Sequence, residues 1–350
     1  MESLEHLKRW RREGVAVGRA VLIKAYGSAP RPEGAVLLAT DDGRIAGSVS
    51  GGCVEAAVVV DIQEVRRTGR ARVIEYGFSD ETARDVGLAC GGRIEVLVEP
   101  YVRQEIVEAA TSRGRAVITA LPVAGEDTRP RPMVVSGDGI VGGSSGDALV
   151  DETLAGAAQE ALAVGRSTIT QAGQGSFFVE AFARRPRLVI VGAVQVAIPL
   201  VSMARTLGYE TIVVDGRSTF ATAERFPGVD RLIVGWPDDV AADIALGPAD
   251  SVAVLSHDPK FDEPAIVEAL RRGCRYVGAI GSGRTQAERR ARLTAAGLAE
   301  TDLVRLRGPI GLDLGGRDPA ETALAIMAEV VATRFGGSGL AMRDRAAPRR

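Results

Sequence analysis

Two cysteines each stand beside a pair of glycines, in Gly51-Gly52-Cys53 and in Cys90-Gly91-Gly92. A thiolate is a nucleophile and a soft ligand for metal ions, and neighbouring glycines let another group approach the backbone closely. These two motifs are therefore the first candidates for chemistry, with Cys53 and Cys90 as candidate metal ligands. For Cys53 the alternative is a small buried residue at a tight turn.

An internal repeat separates what the fold requires from what is special to one copy. A shift of 96 residues places Gly18-Arg19-Ala20-Val21 on Gly114-Arg115-Ala116-Val117. Under the same shift Asp147-Ala148-Leu149 falls on Gly51-Gly52-Cys53, and residues 78–90 have no counterpart. Features of the first copy alone are better candidates for chemistry than features that both copies share. We therefore expect the site in the first copy.

Composition limits the class of protein. A length of 350 residues is sufficient for two domains, and 46% hydrophobic with 25% charged residues is typical of soluble globular proteins. The net charge of -2 argues against a general nucleic-acid binder, and no apolar run approaches the length of a membrane span. Three cysteines, an odd number in a chain this long, predict reduced thiols and a cytoplasmic protein. With only His6 and His257, a histidine-rich metal centre is disfavoured.

The order of predicted strands and helices indicates an α/β protein with two domains. Residues 1–183 are predicted to form a β-rich α+β domain with a pseudo-repeat, its copies at about 15–100 and 111–182. In residues 184–335 buried strands alternate with helices, which predicts a doubly wound parallel sheet, a Rossmann-like domain. Residues 336–350 are predicted to be a flexible tail.

The segment Ser50-Gly51-Gly52-Cys53 lies between a predicted strand and a predicted helix. Unpaired N–H groups at the helix start are expected to face this loop, where their partial positive charge favours a phosphate or a thiolate. Arg31, on a loop stiffened by prolines, is a candidate for a cationic fork to the phosphate. The alternative for Arg31 is an ordinary solvated loop arginine.

The second domain carries a degraded nucleotide fingerprint. Gly192, Val194 and Ala197 occupy the three glycine positions of a dinucleotide turn, and the valine obstructs approach to a pyrophosphate. Asp215 ends the second strand, where it either accepts from a ribose hydroxyl or starts a turn. These features argue against NAD(P) and favour a scaffold with weak or altered ligand binding.

A polar loop follows the fourth strand of this domain. His257, Asp258 and Lys260 place an imidazole, a carboxylate and an ammonium at the carboxyl edge of the sheet, where such folds bind ligands. We expect them to grip an anion. The alternative is a capped turn, with Asp258 before a proline.

Long motifs in both predicted domains carry a family resemblance. They are Gly27-Ser28-Ala29-Pro30-Arg31-Pro32, the run from Gly43 to Glu55, Gly87-Leu88-Ala89-Cys90-Gly91-Gly92, His257-Asp258-Pro259-Lys260, Tyr276-Val277-Gly278-Ala279-Ile280-Gly281-Ser282 and Pro309-Ile310-Gly311-Leu312-Asp313. These motifs resemble the XdhC/CoxI family over nearly the whole chain. The resemblance implies an accessory protein that binds molybdenum cofactor of the molybdopterin type, supports its sulfuration and delivers it to a molybdenum hydroxylase such as xanthine dehydrogenase.

The resemblance also implies a cofactor chaperone rather than an enzyme, and a homodimer. Its partners would be the hydroxylase apoenzyme and a cysteine desulfurase, with no nucleic acid and no membrane. The residues expected at the cofactor are Arg31, Ser50, Gly51, Gly52, Cys53, Cys90, Gly91, Gly92, His257, Asp258 and Lys260. Of these, His257, Asp258 and Lys260 would bind an anion or the pterin. The family usually has a full glycine set in the second domain and histidine in place of Gln195, so this chain departs there. Two alternatives stay open: an NAD(P)-dependent oxidoreductase, and an assembly module that holds no cofactor.

Overall fold

The computed structural model describes residues 2–27, 31–77, 92–122 and 132–344, without the side chains of residues 238 and 240–242. The chain divides into two compact units, Met1–Arg184 and Arg185–Arg350. No helix in the described ranges has the length and apolar character needed to cross a bilayer.

The first unit contains two copies of one order of elements, helix, three strands, helix and two strands. In the first copy these are α1 (Glu2–Arg12), β1 (Val17–Tyr26), β2 (Val36–Thr40), β3 (Ile45–Gly47), α2 (Glu55–Thr68), β4 (Arg72–Tyr76) and β5 (Arg93–Glu99). In the second copy they are α3 (Gln104–Ser112), β6 (Arg115–Ala120), β7 (Met133–Ser136), β8 (Gly139–Gly142), α4 (Ala148–Val164), β9 (Thr168–Ala172) and β10 (Gly175–Phe182). The two antiparallel sheets have the orders β3-β2-β1-β5-β4 and β8-β7-β6-β10-β9.

The central strand β1 is buried on both faces, which explains its almost continuous apolar sequence. Ala20 and Leu22 share a buried cluster with α2 residues, whereas Val21 and Ile23 pack with Phe178 of the second sheet. Helix α1 contributes Leu4, Leu7 and Trp10 to a third cluster, as their helical spacing predicts.

One buried arginine joins the two sheets. Arg19 Nη1 donates to Glu99 Oε2 over 2.7 Å, and Arg19 Nη2 donates to Glu180 Oε2 over 2.5 Å. All three residues are buried. Burial raises the pKa of Glu180 even though Arg19 opposes this change. The guanidinium therefore compensates two carboxylates that have lost their water.

The second unit is a parallel six-stranded sheet with helices on both faces, as predicted. Its elements are β11 (Arg187–Val191), α5 (Ala197–Thr206), β12 (Glu210–Asp215), β13 (Arg231–Val234), α6 (Pro237–Ile244), β14 (Ser251–Val254), α7 (Pro259–Arg271), β15 (Tyr276–Ala279), α8 (Gly283–Ala295), α9 (Glu300–Leu303), β16 (Leu306–Arg307) and α10 (Pro319–Phe335). The strand order β13-β12-β11-β14-β15-β16 reverses between β11 and β14, which is where such sheets bind ligands. In the predicted tail, Met342–Asp344 form a short 3₁₀ turn, and residues 345–350 lie outside the described residues.

Candidate functional site

The loop between β3 and α2 wraps around the carboxylate of Glu55. Glu55 Oε1 accepts hydrogen bonds from the Ser48 hydroxyl (2.5 Å) and from the N–H of Ser50 (2.9 Å). Glu55 Oε2 accepts from the Ser50 hydroxyl (2.6 Å) and from the N–H of Gly52 (2.9 Å). Burial disfavours the charged carboxylate, but these hydrogen bonds outweigh it and lower the pKa of Glu55 to about 2.

The remaining N–H groups of this loop are also paired. The Gly51 N–H donates to the Ser48 hydroxyl (2.7 Å), and the Cys53 N–H donates to the Ser50 hydroxyl (3.0 Å). The prediction that unpaired N–H groups face an anion here is therefore wrong. The sequence supplies its own anion, Glu55, and the buried hydroxyl of Ser50 serves the loop rather than a ligand.

The second copy contains the same arrangement. Asp151 stands at the repeat position of Glu55, and its carboxylate accepts from the Ser144 hydroxyl (2.6 Å) and from the N–H of Ser145 (2.7 Å). Because both copies share this carboxylate, it belongs to the fold rather than to chemistry.

The copies differ in how the helix begins. Asp147 caps α4 by accepting from Leu149 N, and the helix starts at Ala148. In the first copy Gly51 and Gly52 have φ of 88° and 120°, and α2 starts only at Glu55. Positive φ at two consecutive residues is readily available only to glycine. The glycine pair thus replaces the first helical turn with an open loop that ends in Cys53.

Cys53 lies toward the end of the sheet at which β1 ends and β5 begins. Gly18, at the start of β1, lies against Ile62 in the later half of α2, so α2 runs antiparallel to β1. Its start, next to the half-buried Cys53, is therefore near the end of β1. Gly27 and Gly92 meet at that end, since a Cβ on Gly27 would lie 4.0 Å from Gly92 Cα. Cys90 and Gly91 lie outside the described residues, so the predicted pair of sulfurs stays a prediction.

Arg31 lines a different cavity, of about 330 Å³, inside the first unit. Arg19, Arg113 and Glu180 line it as well, together with apolar residues of α1 and α3. The Gly51-Gly52-Cys53 motif is not among its lining residues. The cavity beside Arg31 therefore does not include the Gly51-Gly52-Cys53 motif, and a role of Arg31 at the phosphate stays a prediction.

A second cavity, of about 690 Å³, opens in the C-terminal unit at the carboxyl ends of β11, β12, β13 and β14. Its lining includes Val194, Asp215, Arg217, Trp236, His257 and Asp258. Gly192 has a φ of 108°, and a Cβ there would lie 2.9 Å from Ser256 N, so glycine is required by the turn itself. Val194 contributes to the cavity lining, whereas Ala197 is buried at the start of α5.

The carboxylate of Asp215 is occupied by protein donors. It accepts from the N–H of Ala193 (2.7 Å), and the guanidinium of Arg217 binds both of its oxygens through Nε (2.9 Å) and Nη2 (2.8 Å). Burial works against the charged form, but these donors lower the pKa of Asp215 below its usual value. Of the two predicted roles, the structure favours the turn over the ribose acceptor.

The polar loop after β14 divides between two surfaces. His257 and Asp258 line the 690 Å³ cavity, but Lys260 lines a separate surface beside α7. Asp258 Oδ1 caps α7 by accepting from Lys260 N (3.0 Å), with Pro259 at the first helical position. The expectation of one three-residue anion grip is therefore wrong, because Asp258 is a cap and Lys260 lies on another surface.

Comparisons with known proteins account for both units. Residues 10–77 match the XdhC and CoxI family, and residues 188–330 match the XdhC Rossmann domain. The chain belongs to the XdhC and CoxI family. Among curated relatives, a protein of Bacillus subtilis described as a probable xanthine dehydrogenase component is 26% identical over 90% of this chain and 92% of its own length. A molybdenum cofactor insertion chaperone of Escherichia coli, PaoD, is 27% identical over 90% of this chain and 82% of its own.

A solved structure shares the fold of this XdhC and CoxI family chain. The crystal structure of a xanthine dehydrogenase from Bacillus halodurans matches with a TM-score of 0.72 and 24% identity, over 96% of each chain. This similarity shows that the two proteins have the same fold.

Sequence reasoning missed a buried charged network behind the His257 loop. The Ser256 hydroxyl donates to Asp262, and Arg289 Nη2 donates to Asp262 Oδ2 over 3.3 Å. Burial raises the pKa of Asp262 to about 6, although the hydrogen bond from Ser256 and the charge of Arg289 oppose this shift. In the sequence, the only indication of this network is the spacing of six residues between Ser256 and Asp262. Such a spacing is too common to predict a buried hydrogen bond.

The described residues contain no group of three histidine, cysteine, aspartate or glutamate side chains arranged to hold a metal ion. Cys274, the third cysteine of the chain, is buried, and burial raises its pKa to about 12. It is therefore a protonated core residue rather than a reactive thiol.

Proposed function

We propose that this protein binds molybdenum cofactor, supports its sulfuration and delivers it to a molybdenum hydroxylase of the xanthine dehydrogenase type. The observation that carries the proposal is the open loop of the first copy, in which two glycines replace a helical turn and present a half-buried thiol. The similarity to a molybdenum cofactor insertion chaperone along most of both chains supports the same role.

The residues present fit part of the cofactor. When bound, the cofactor supplies a molybdenum centre with sulfur ligands, and the soft sulfur of Cys53 suits that centre. The loop N–H groups do not fit its phosphate, because Glu55 and the serine hydroxyls already accept from them. The phosphate would require donors elsewhere, and Arg31 is the remaining candidate in the first unit.

The partners follow from this role. We propose the hydroxylase apoenzyme as the acceptor, a cysteine desulfurase as the sulfur source, and a cytoplasmic homodimer as the working form. Light scattering on the purified protein tests the dimer. A mass of one chain would remove that part of the proposal.

The decisive experiment is anaerobic purification from cells that make the cofactor, followed by molybdenum analysis and native mass spectrometry. We expect the wild-type protein to retain molybdenum, the Cys90→Ala variant to lose it, and the Cys274→Ala variant to retain it because Cys274 is buried in the other unit. Equal retention in both variants would remove the cysteine-loop assignment. No molybdenum in the wild-type protein would favour an assembly module instead.

The oxidoreductase alternative has a separate test. The guanidinium of Arg217 binds the carboxylate of Asp215, and Val194 lines the cavity at the turn after β11. We therefore expect no NAD(P)H binding at micromolar concentration and no substrate-dependent hydride transfer. Observation of both would replace the chaperone proposal with an enzyme.

A further inference from the structure

Two buried polar groups have no hydrogen-bond partner at the amino edge of the parallel sheet, the edge opposite the 690 Å³ cavity. They are the Tyr209 hydroxyl and Arg334 Nε, and no described residue pairs with either. Tyr209 is 1% exposed and directly precedes β12, and Arg334 lies in the last turn of α10. A buried donor without a partner is costly to the fold, so two of them at one place indicate a group that binds there.

Aromatic rings hold the guanidinium of Arg334. Its carbon lies 5.6 Å from the centroid of the Tyr209 ring and 4.9 Å from that of the Phe335 ring. Within the described ranges, Arg334 forms no ion pair and donates no hydrogen bond. Ring contacts of this kind position a guanidinium and leave the N–H groups on its edge free to donate to an oxyanion.

A second guanidinium lies at the same edge. Arg275 directly precedes β15, and its backbone N–H donates to the carbonyl of Asp250 (2.9 Å). Burial and the charge of Arg334 both lower the pKa of Arg275, whereas Tyr209 and Asp250 oppose this shift. The guanidinium groups of Arg275 and Arg334 are therefore close enough to repel each other, and an anion between them would remove that repulsion.

The carboxylates near these arginines have other partners. Arg187 binds both oxygens of Asp250 through Nε (2.8 Å) and Nη2 (2.5 Å). Glu329, on α10, accepts from the Tyr276 hydroxyl (2.7 Å) and from the N–H of Gly311 (2.8 Å). The charge of Arg334 is therefore not compensated by a carboxylate of the described residues.

We infer that the amino edge of this sheet binds a phosphate-type dianion, free or as a monoester, between Arg275 and Arg334, with the Tyr209 hydroxyl as a further donor. Two guanidinium groups match a dianion in charge, and the planar fork of each matches a pair of phosphate oxygens. The inference does not rest on the proposed function, because this site shares no residue with the cysteine loop or with the cavity at the carboxyl ends of the strands.

Isothermal titration calorimetry of the full-length protein at constant ionic strength tests the inference, with inorganic phosphate and methyl phosphate as probes. We expect Arg334→Gln to weaken binding about ten-fold or more, and Arg334→Lys to restore only part of it, because lysine lacks the fork. Arg271→Gln, at an exposed position of α7, is the matched control and should keep wild-type affinity. Binding of both probes would indicate free phosphate as the ligand, and binding of methyl phosphate alone a phosphorylated molecule.

Tyr209→Phe separates a ligand-binding role of the hydroxyl from a structural one. This variant keeps the ring beside Arg334 and removes only an unpaired donor, so in chloride it should be at least as stable as wild type. In phosphate, the wild-type protein should gain more in melting temperature than the variant, because a ligand stabilises the folded state that binds it more tightly. Thermal unfolding in the two salts measures both effects.

Three results would overturn the inference. They are no binding of either probe, equal affinity of the wild-type and Arg334→Gln proteins, and a Tyr209→Phe protein less stable than wild type in chloride. The last result would mean that the hydroxyl is satisfied by water rather than by an anion.

Discussion

Glu55 is an anion that the chain provides to its own loop. A carboxylate that accepts from serine hydroxyls and from backbone N–H groups does at a helix start what a bound phosphate would do. The loop residues that the sequence indicated as a phosphate-binding site therefore bind the carboxylate of Glu55 instead. This leaves the thiol of Cys53 as the part of the loop with chemistry to offer.

Glu55→Gln should destabilise the first unit by roughly 1–3 kcal/mol at pH 7, because an amide presents donors to groups that need an acceptor. Since the pKa of Glu55 in the folded protein is about 2, its contribution is present above the ordinary value of 4.5 and is lost as pH falls toward 2. Urea unfolding at several pH values measures this. Asp151→Asn in the second copy is the matched variant for comparison. A Glu55→Gln protein as stable as wild type at pH 7 would contradict the stabilising role of the Glu55 carboxylate.

Asp262 should give the opposite pH dependence. Its pKa is raised to about 6 by burial, so its stabilising contribution is complete below the ordinary value of 3.8 and is lost as pH rises through 6. Relative to Asp262→Asn, the wild-type protein should lose stability between about pH 4 and pH 6.5. Urea unfolding across that range measures the difference, with Asp138→Asn at an exposed hairpin as the control. Parallel pH profiles of the wild-type and Asp262→Asn proteins would contradict the raised pKa.

At the scale of elements, periodicity predicted most strands and helices because their buried faces are continuous. Strand β11 is buried over Leu188, Val189, Ile190 and Val191, and its apolar run indicated its position directly. The state of the loop before α2 was not predictable in the same way. Whether the N–H groups of this loop are free depends on where the carboxylate of Glu55 points. The available indication in the sequence is that the second copy has a carboxylate, Asp151, at the same repeat position.

The glycine pair in this loop can be tested against a glycine in a helix. Gly52→Ala should cost about 1–3 kcal/mol, because its φ of 120° is strained for alanine although no atom lies in the way of a Cβ. Gly156→Ala, within α4 and also with open space around it, should stabilise by about 0.5–1 kcal/mol. Thermal unfolding measures both. A neutral Gly52→Ala would show that the loop tolerates a regular helix start.

At the scale of the whole molecule, each compact unit contains one tryptophan. Trp10 is buried in the first unit, and Trp236 is half-exposed in the second. Their fluorescence therefore reports the two units separately once either is replaced by phenylalanine. The Arg19 ion pairs belong entirely to the first unit and connect its two sheets.

Arg19→Met should destabilise the first unit by about 3–5 kcal/mol, because it leaves Glu180 buried without a compensating cation and Glu99 with Arg103 as its partner. Unfolding followed through Trp10 should shift to lower urea, while unfolding followed through Trp236 keeps its midpoint. Adding Glu99→Gln and Glu180→Gln should recover part of the loss. Equal shifts of both tryptophan signals would show that the units unfold together.

The ion pairs of Arg19 also make the two halves of the first unit non-interchangeable. By strand register, Leu97 stands in the first sheet where Glu180 stands in the second, and Phe182 stands where Glu99 does. In a first half paired with a duplicate of itself, Arg19 would keep Glu99 but its Nη2 would meet Leu97 instead of the carboxylate of Glu180. Produced as separate polypeptides, the halves should therefore prefer each other over self-association.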